Sequence, residues 1–199
     1  MSELLAIEPA AQDLLFREAR TANTFTDEPV SEEQVQAIYD LVKWAPTAMN
    51  IQPLRVLLVR SPEAREHLVT HMSDGNKAKT ATAPLVAVLA VDTDFHEHLP
   101  VVFPHKPDAK DGLAGVPEIR ARMAAFNGAL QVGYFIIGVR AAGLAAGPMA
   151  GFDAEGVAKE FFPGGDHQVL AVVNIGRPGP DAWFQRNPRL AYDQVVTTI

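Results

Sequence analysis

The 199-residue chain contains no cysteine, and this absence removes several kinds of chemistry. Without thiols there is no disulfide, no thiolate metal site, no iron–sulfur cluster and no cysteine nucleophile. A cysteine-free chain is typical of the reducing cytoplasm, and we expect that location.

Basic charge and long apolar runs are also scarce. The chain has 17 Lys and Arg against 24 Asp and Glu, and the net charge of −7 argues against nucleic acid or an anionic membrane as the main partner. Residues 1–4 have no basic segment leading into an apolar core, so we expect no signal peptide. The most apolar long run, residues 124–144, is interrupted by Asn127, Gln131 and Arg140, which predicts a buried helix and no membrane span.

Several catalytic signatures are missing. The chain has no Gly-x-Gly-x-x-Gly turn, no phosphate-binding loop and no Gly-x-Ser-x-Gly elbow, which argues against a Rossmann nicotinamide site and a serine hydrolase. The histidines leave one non-redox alternative open, a histidine-metal hydrolase. His67 and His71 share a helix face, while His96, His98 and His105 lie close in sequence. Since no His-Glu-x-x-His motif supplies a general base, we expect no metal.

The hydrophobic pattern predicts an α+β protein, with helices flanking a small central β-sheet and one long central helix. The predicted strands are 54–59, 85–91 and 169–175, and the predicted helices are 9–20, 31–42, 61–72, 76–82, 117–142 and 153–161. In the long helix we expect five apolar residues to face inward, namely Ile119, Met123, Phe126, Leu130 and Ile137.

We expect one domain over residues 1–199, since no linker is long enough to separate two. Residues 92–116 are either a functional lid or a set of short helices. The apolar tail, residues 176–199, either covers its own core or packs on a dimer partner.

The loop between Pro46 and Pro53 contains three polar side chains, Thr47, Asn50 and Gln52. These residue types are typical of an ordinary loop, and they can also bind a flat polar ligand.

Asn76 and Lys79 are one helical turn apart and combine an amide with a cation. Such a cation stabilises the anionic reduced ring of a flavin, although a solvated surface turn has the same pattern.

Two further segments can contact a ligand. The glycines around Pro148, Met149 and Ala150 let backbone approach a ring closely, whereas the alternative is a helix cap followed by a tight turn. Arg20 and Arg189 can together bind a phosphate, although each alone is typical of a surface ion pair.

Together these segments resemble the FMN-dependent nitroreductase family. The opening Arg-Arg-Ser-x-Arg-x-Phe motif of the family corresponds to residues 19–25, where Ala19 and Asn23 replace two arginines and Thr21 keeps the hydroxyl. The Pro-Ser-x-x-Asn-x-Gln-Pro motif corresponds to residues 46–53, which is the most specific match. The Asn-x-x-Lys pair of the family corresponds to residues 76–79.

This resemblance implies a nitroreductase-like fold and an intertwined homodimer. It also implies FMN at the interface, NADH or NADPH as hydride donor, a small-molecule substrate and Lys79 as the catalytic residue. The implied cofactor-binding residues are Arg20, Thr21, Asn23, Pro46, Thr47, Ala48, Asn50, Gln52, Asn76, Lys79, Pro148, Met149, Ala150, Gly151 and Arg189.

Within the family, several segments are most similar to the malonic semialdehyde reductases of pyrimidine catabolism. They include Lys43-Trp44, Phe103-Pro104-His105 and Gly151-Phe152-Asp153. This similarity implies reduction of malonic semialdehyde to 3-hydroxypropionate, with Arg55 or a loop histidine as anchor for the substrate carboxylate. The alternative is a general NAD(P)H nitroreductase or quinone reductase, because related sequences reduce such acceptors through the same flavin.

Overall fold

The computed structural model describes residues 5–199, and residues 1–4, on which the signal-peptide expectation rests, lie outside the described part. One antiparallel sheet has the strand order β1-β2-β4-β3. Its strands are β1 Leu54–Val59, β2 Leu85–Asp92, β3 Ala145–Met149 and β4 His167–Gly176. The three predicted strands are thus confirmed to within two residues at each end.

The helices begin where the sequence supplies caps. Ser31 caps the second helix in a capping box with Gln34, Ser61 caps the third with Pro62 in its first turn, and Asp153 caps the eighth. The helices are α1 Pro9–Gln12 (continued by a π-helical turn, Asp13–Arg17), α2 Glu32–Val42, α3 Pro62–His71, α4 Asp74–Thr82, α5 Leu99–Val102, α6 Ala109–Ala114, α7 Pro117–Ala141, α8 Ala154–Phe161 and α9 Tyr192–Val195.

The sheet lies between two helical layers, which confirms the α+β prediction. On one face α2 and α7 pack against it through residues such as Ile38, Phe135 and Val139. On the other face α3 and α8 pack through Leu68 and Val157. β2 is buried along its whole length because it lies inside the sheet and is covered on both faces.

The orientation predicted for α7 was wrong in part, since Met123 and Ile137 are partly buried but the other three predicted residues are exposed. Ile119, Phe126 and Leu130 expose 41%, 69% and 42% of their surface. Two polar residues are buried in their place, because Asn127 Oδ1 accepts from Ala48 N at 2.7 Å and Gln131 Oε1 accepts from a β1 amide at 3.0 Å. These bonds satisfy loop and strand donors that otherwise lack partners, so polar residues mark the inner face of this helix.

The glycine-rich segment after α7 also differs from its prediction. Gly143, with φ of 72°, ends the helix as expected. The next residues form β3, which pairs with β4 from Ala145↔Gly176 to Met149↔Val172. A Gly-Pro pair has low strand propensity, and edge pairing with a long buried strand overrides it.

Residues 92–116 contain α5, α6 and a 3-10 turn, Phe95–His98, so the short-helix alternative is confirmed. The start of the tail runs beside residues 23–26, with Thr26 N donating to Arg177 O and Asn23 N to Ala182 O, each at 3.0 Å. Beyond it, Leu190 and Tyr192 are largely exposed. No helix in the described part has the length and apolar character needed to span a bilayer.

Candidate active site

Residues 20–23 lie along the outer edge of β3. Ala22 N donates to Ala146 O at 3.1 Å, and the tail covers the other side of this segment. Gly147 permits the approach, since a Cβ there would lie 2.7 Å from Ala22 O. The sheet edge and the tail therefore hold Arg20, Thr21 and Asn23 between them.

A cavity of about 230 Å³ opens between this segment and the tail. Its lining residues are Ala19, Arg20, Thr21, Asn23, Phe184, Gln185, Arg186, Asn187 and Arg189. The fold thus brings the predicted Arg20, Thr21 and Asn23 together with Arg189. Arg189 Nη1 donates to Asn187 O at 2.9 Å, and the nearest carboxylate oxygen to Arg20, on Glu18, is 3.7 Å from Nη2. Guanidinium groups so weakly neutralised favour an anion.

The second predicted pair lies where α4 meets the end of β3. Asn76 Nδ2 donates to Gly151 O at 2.9 Å, and Ser73 N donates to the same oxygen at 3.0 Å. A Cβ on Gly151 would lie 2.8 Å from Asn76 Nδ2, so glycine permits the contact. The half-buried side chain of Lys79 makes no ion pair or hydrogen bond with any described residue. Asn76 thus fixes the backbone of the β3 loop, and Lys79 is a cation available to a ligand.

Asn174 connects these two groups, although nothing in the sequence analysis pointed to it. It pairs with Gly147 in the β3–β4 ladder, and its Nδ2 donates to Lys79 O at 3.1 Å. The side chain is fully buried, and its Oδ1 has no partner among residues 5–199. The only sequence signal is one amide among the apolar residues 169–175. Asn174 thus links the strand position of Gly147 to the backbone of Lys79 on α4. We call the groups along this edge, namely the arginine-lined cavity, residues 76–79 of α4 and residues 148–151, the β3-edge surface.

The proline-bracketed loop before β1 has strained backbone. Met49, Asn50 and Gln52 have φ of 54°, 53° and 41°, a region that non-glycine residues rarely occupy. Asn50 Nδ2 donates to Val102 O at 2.8 Å, and Gln52 N donates to Thr47 Oγ1 at 3.3 Å. Such strain persists where surrounding contacts fix the chain, and it is enriched at functional sites.

A cavity of about 320 Å³ borders this loop. It is lined by Tyr39, Lys43, Trp44, Ala45, Pro46, Thr47, Asn50 and Gln52. Trp44 exposes 78% of its surface, and the Lys43 ammonium lies 5.5 Å from the centre of its ring. We call this second group the β1-loop surface.

The two surfaces lie at opposite edges of the sheet. β1 and β3 are these edges, so three strand spacings, about 14 Å, separate them across the sheet. The β1 loop leads into Leu54, which pairs with Val91, whereas Met149 lies level with Val88 and Ala146 with Leu85. Three to six residues of β2 add roughly 10 to 20 Å along the strands. One chain therefore does not bring Pro46, Thr47, Ala48, Asn50 and Gln52 to the other predicted site residues.

The two α3 histidines and Arg55 are engaged elsewhere. His71 Nε2 is 2.6 Å from Glu160 Oε2, and His67 contacts the other oxygen of that carboxylate. Hydrogen bonds from His71 and then His67 hold the pKa of Glu160 below its usual value.

Arg55 Nη2 lies 2.6 Å from Asp92 Oδ2, and its Nη1 donates to two backbone carbonyls, so it is not a free anchor for a substrate. In the described chain, no three His, Asp or Glu side chains are placed to hold a metal ion.

Residues 16–177 match the nitroreductase family when the chain is compared with known families. The chain belongs to the nitroreductase family. A relative from Streptomyces coelicolor, provisionally named NADH dehydrogenase/NAD(P)H nitroreductase, is 69% identical over 195 residues, covering 98% of this chain and 99% of that protein. A relative of the same provisional name from Leptothrix cholodnii is 46% identical and covers 98% of each chain.

The fold is also shared with a solved nitroreductase from Exiguobacterium sibiricum in complex with FMN. The TM-score is 0.84, with 17% identity and 98% of each chain covered. This likeness confirms the nitroreductase-like fold predicted for the chain.

Proposed function

We propose that the protein is an FMN-dependent NAD(P)H oxidoreductase that acts as a homodimer. The observation that carries this proposal is the β3-edge surface, which joins an arginine-lined cavity to the unpaired Lys79. The NAD(P)H nitroreductase name of the Streptomyces relative and the FMN in the Exiguobacterium structure support it. The absence of cysteine favours the cytoplasm as its location.

The cavity at the β3 edge fits the phosphate end of FMN. Arg20 and Arg189 line it from two segments far apart in sequence, and Thr21 adds a hydroxyl and Asn23 an amide. Guanidinium groups bind phosphate oxygens through paired, charge-assisted hydrogen bonds. We assign phosphate binding to these four side chains.

The remainder of the β3-edge surface fits the flavin ring. Two glycines flank Pro148, Met149 and Ala150, so backbone is accessible there without a bulky side chain. Asn76 holds this backbone in place through Gly151 O. FMN held by these residues would supply hydride transfer from NAD(P)H to the second substrate. Lys79 stabilises negative charge that develops on the adjacent ring, which makes it the catalytic side chain in this proposal.

The β1-loop surface completes the site from a second copy of the chain. Thr47, Asn50 and Gln52, with the backbone of Pro46 and Ala48, then contact the flavin bound by the partner. This arrangement accounts for their separation from the β3-edge surface within one chain. It also gives a function to the strained loop, which sets the direction of its amide groups.

Surface area supports the same pairing. A compact monomer of this mass exposes about 9,200 Å², and this chain exposes 11905 Å². The excess is comparable with the area that obligate dimers bury.

Phe126, Leu130 and Tyr134 form an exposed stripe on α7, and Leu190 and Tyr192 extend the apolar surface into the tail. We propose that residues 1–199 form one domain whose α7 stripe and tail, residues 176–199, pack on the partner.

We propose malonic semialdehyde as the substrate and 3-hydroxypropionate as the product. The support is the resemblance of several segments to malonic semialdehyde reductases, one of which contains His105. His105 is exposed and packs on Phe103, with ring centres 4.0 Å apart, in the segment bound to Asn50 through Val102 O. With Arg55 engaged by Asp92, His105 is the candidate anchor for the substrate carboxylate. A general nitro or quinone reductase is the second candidate, favoured by the name of the Streptomyces relative.

Flavin content and acceptor preference test the proposal. Purified protein is expected to show flavin absorption, or to acquire it with added FMN, and to oxidise NADH or NADPH. Malonic semialdehyde, a nitroaromatic and a quinone are then compared as acceptors. Greater kcat/KM with the aldehyde supports the first substrate, whereas equal or greater values with the other two support the general reductase. Protein that binds no FMN contradicts the proposal, and stoichiometric zinc would indicate the hydrolase alternative.

A further inference from the structure

The cavity assigned to phosphate has lost two of the cations that the family motif supplies. Ala19 stands where the motif has its first arginine, and Asn23 stands where it has its last. The structure places a different arginine beside this gap. Arg186 lines the same cavity as Ala19 and Arg20, and its Nη2 donates to Ala19 O at 3.1 Å.

The charge of Arg186 is free for a ligand. Its guanidinium carries five N–H donors, and the bond to Ala19 O engages one of the five. No carboxylate among residues 5–199 forms an ion pair with it, although acidic residues outnumber basic ones in the whole chain. The bond to Ala19 O fixes this cation beside position 19, in the cavity that Ala19 also lines.

A second unneutralised arginine lies behind it, at the end of α7. Arg140 borders an adjacent cavity with Ala19 and Arg20, and its Nη1 donates to Leu15 O at 3.4 Å. Its buried Nε has no partner among the described residues. Burial, and then the charge of Arg186, lower the pKa of Arg140. Glu18 lines the same cavity, but no carboxylate among residues 5–199 forms an ion pair with Arg140 or Arg186. A site that concentrates positive charge in this way is stabilised by a bound anion.

We propose that Arg186 binds the phosphate of FMN in place of the motif arginine lost at Ala19, with Arg140 reinforcing the positive field behind it. This inference rests on the proposed function. Two phosphate monoesters have the required chemistry, the 5′-phosphate of FMN and the 2′-phosphate of NADPH. The structure favours FMN because Arg20 and Thr21 line the same cavity as Arg186.

The test compares ligands that differ only in phosphate. Full-length protein freed of flavin is titrated with FMN and with riboflavin, for the wild type, Arg186→Gln and Arg186→Lys. Arg177→Gln is the matched control, because Arg177 lies in the same tail, pairs with Glu28 at 2.7 Å and is outside the cavity. Arg186→Gln is expected to weaken FMN binding about 10- to 100-fold, the loss typical of a charge-assisted hydrogen bond, and to leave riboflavin binding unchanged. Arg186→Lys is expected to recover part of the preference for FMN, and Arg177→Gln to match the wild type.

Each alternative outcome is distinguishable. An unchanged ratio of FMN to riboflavin affinity in Arg186→Gln overturns the inference and leaves the proposed function in place. An equal loss for both flavins also overturns it, because that result indicates a structural role. If the KM ratio of NADPH to NADH changes while the flavin ratio does not, Arg186 binds the nucleotide instead. A wild type that binds neither flavin overturns both proposals.

Discussion

Replacing Phe126 by alanine tests the proposed homodimer at the most exposed aromatic side chain of the α7 stripe. Phe126 lies on the exposed face of α7, where 69% of its surface is accessible. An isolated chain gains nothing from such exposure, and a partner that covers the α7 stripe buries the ring.

The size of the effect follows from the exposed area. A phenylalanine buries roughly 200 Å² when fully covered, so the exposed share is about 140 Å². At about 25 cal/mol per Å² this corresponds to roughly 3.5 kcal/mol per chain, and symmetry doubles the value for the dimer. The alanine variant still buries its Cβ, and buried area converts only partly into binding free energy. We therefore expect the variant dimer to lose about half of the doubled value. The dimer dissociation constant is then expected to rise roughly 300-fold.

Sedimentation analysis between nanomolar and micromolar protein measures this change. Flavin content measured on the same samples is expected to fall with the dimer fraction, since the partner contributes the β1-loop surface. Lys159→Ala is the control, because Lys159 is exposed on α8, where no described large hydrophobic residue is exposed. An unchanged dissociation constant in Phe126→Ala, or a monomeric wild type that retains FMN, would refute this reasoning.

Three further substitutions test packing, pH dependence and catalysis. Gly128→Ala is expected to destabilise the protein by about 1–3 kcal/mol in urea unfolding, because the new Cβ would lie 2.1 Å from a buried valine methyl of β2. Gly112→Ala, with nothing within 4 Å, is expected to be neutral or slightly stabilising. The pKa of Glu160 is lowered by the two α3 histidines, so the stability it contributes is present above pH 4.5 and lost as pH falls through the folded value. Lys79→Gln is expected to slow flavin reduction by NAD(P)H at least tenfold in stopped-flow measurements, whereas Lys77→Gln is not.

Each of these results has a clear contrary outcome. Equal unfolding free energies for the two alanine variants would mean that α7 and β2 are not in close contact. The urea midpoints of the wild type and Glu160→Gln should converge as pH falls below 4.5, and a difference that widens as pH falls would contradict the assigned ion pairs. Wild-type rates in the Lys79 variant would remove its proposed role, and Lys77 is a fair comparison because Asp74 already pairs with it at 2.8 Å.

The sequence predicted those elements whose local and long-range preferences agree. Residues 54–59 are almost entirely β-branched or leucine, and they form β1, although at this edge of the sheet only Val59 is buried and Val56 is exposed. Ser31 and Asp153 begin helices because a cap depends on three or four neighbouring residues. By contrast, β3 contains a Gly-Pro pair and becomes a strand only through β4, which lies about twenty residues further along the chain.

The site was predicted in part for a related reason. Motif positions such as Asn76 and Lys79 are readable from their spacing. Arg186 and Asn174 gain their positions from contacts across the fold, to Ala19 O and Lys79 O, which no local pattern encodes. The inverted prediction for Phe126 has a different cause, because a hydrophobic pattern does not distinguish the core of one chain from a surface that another chain covers.

The placement of the two surfaces at opposite edges of the sheet has a genetic consequence. In the proposed dimer each flavin contacts the β3 edge of one chain and the β1 loop of the other. A chain defective at Lys79 and a chain defective at Asn50 would each be inactive alone. Their mixed dimer would contain one site with both defects and one with none, so two inactive alleles would complement each other. Two alleles damaged on the same surface would not.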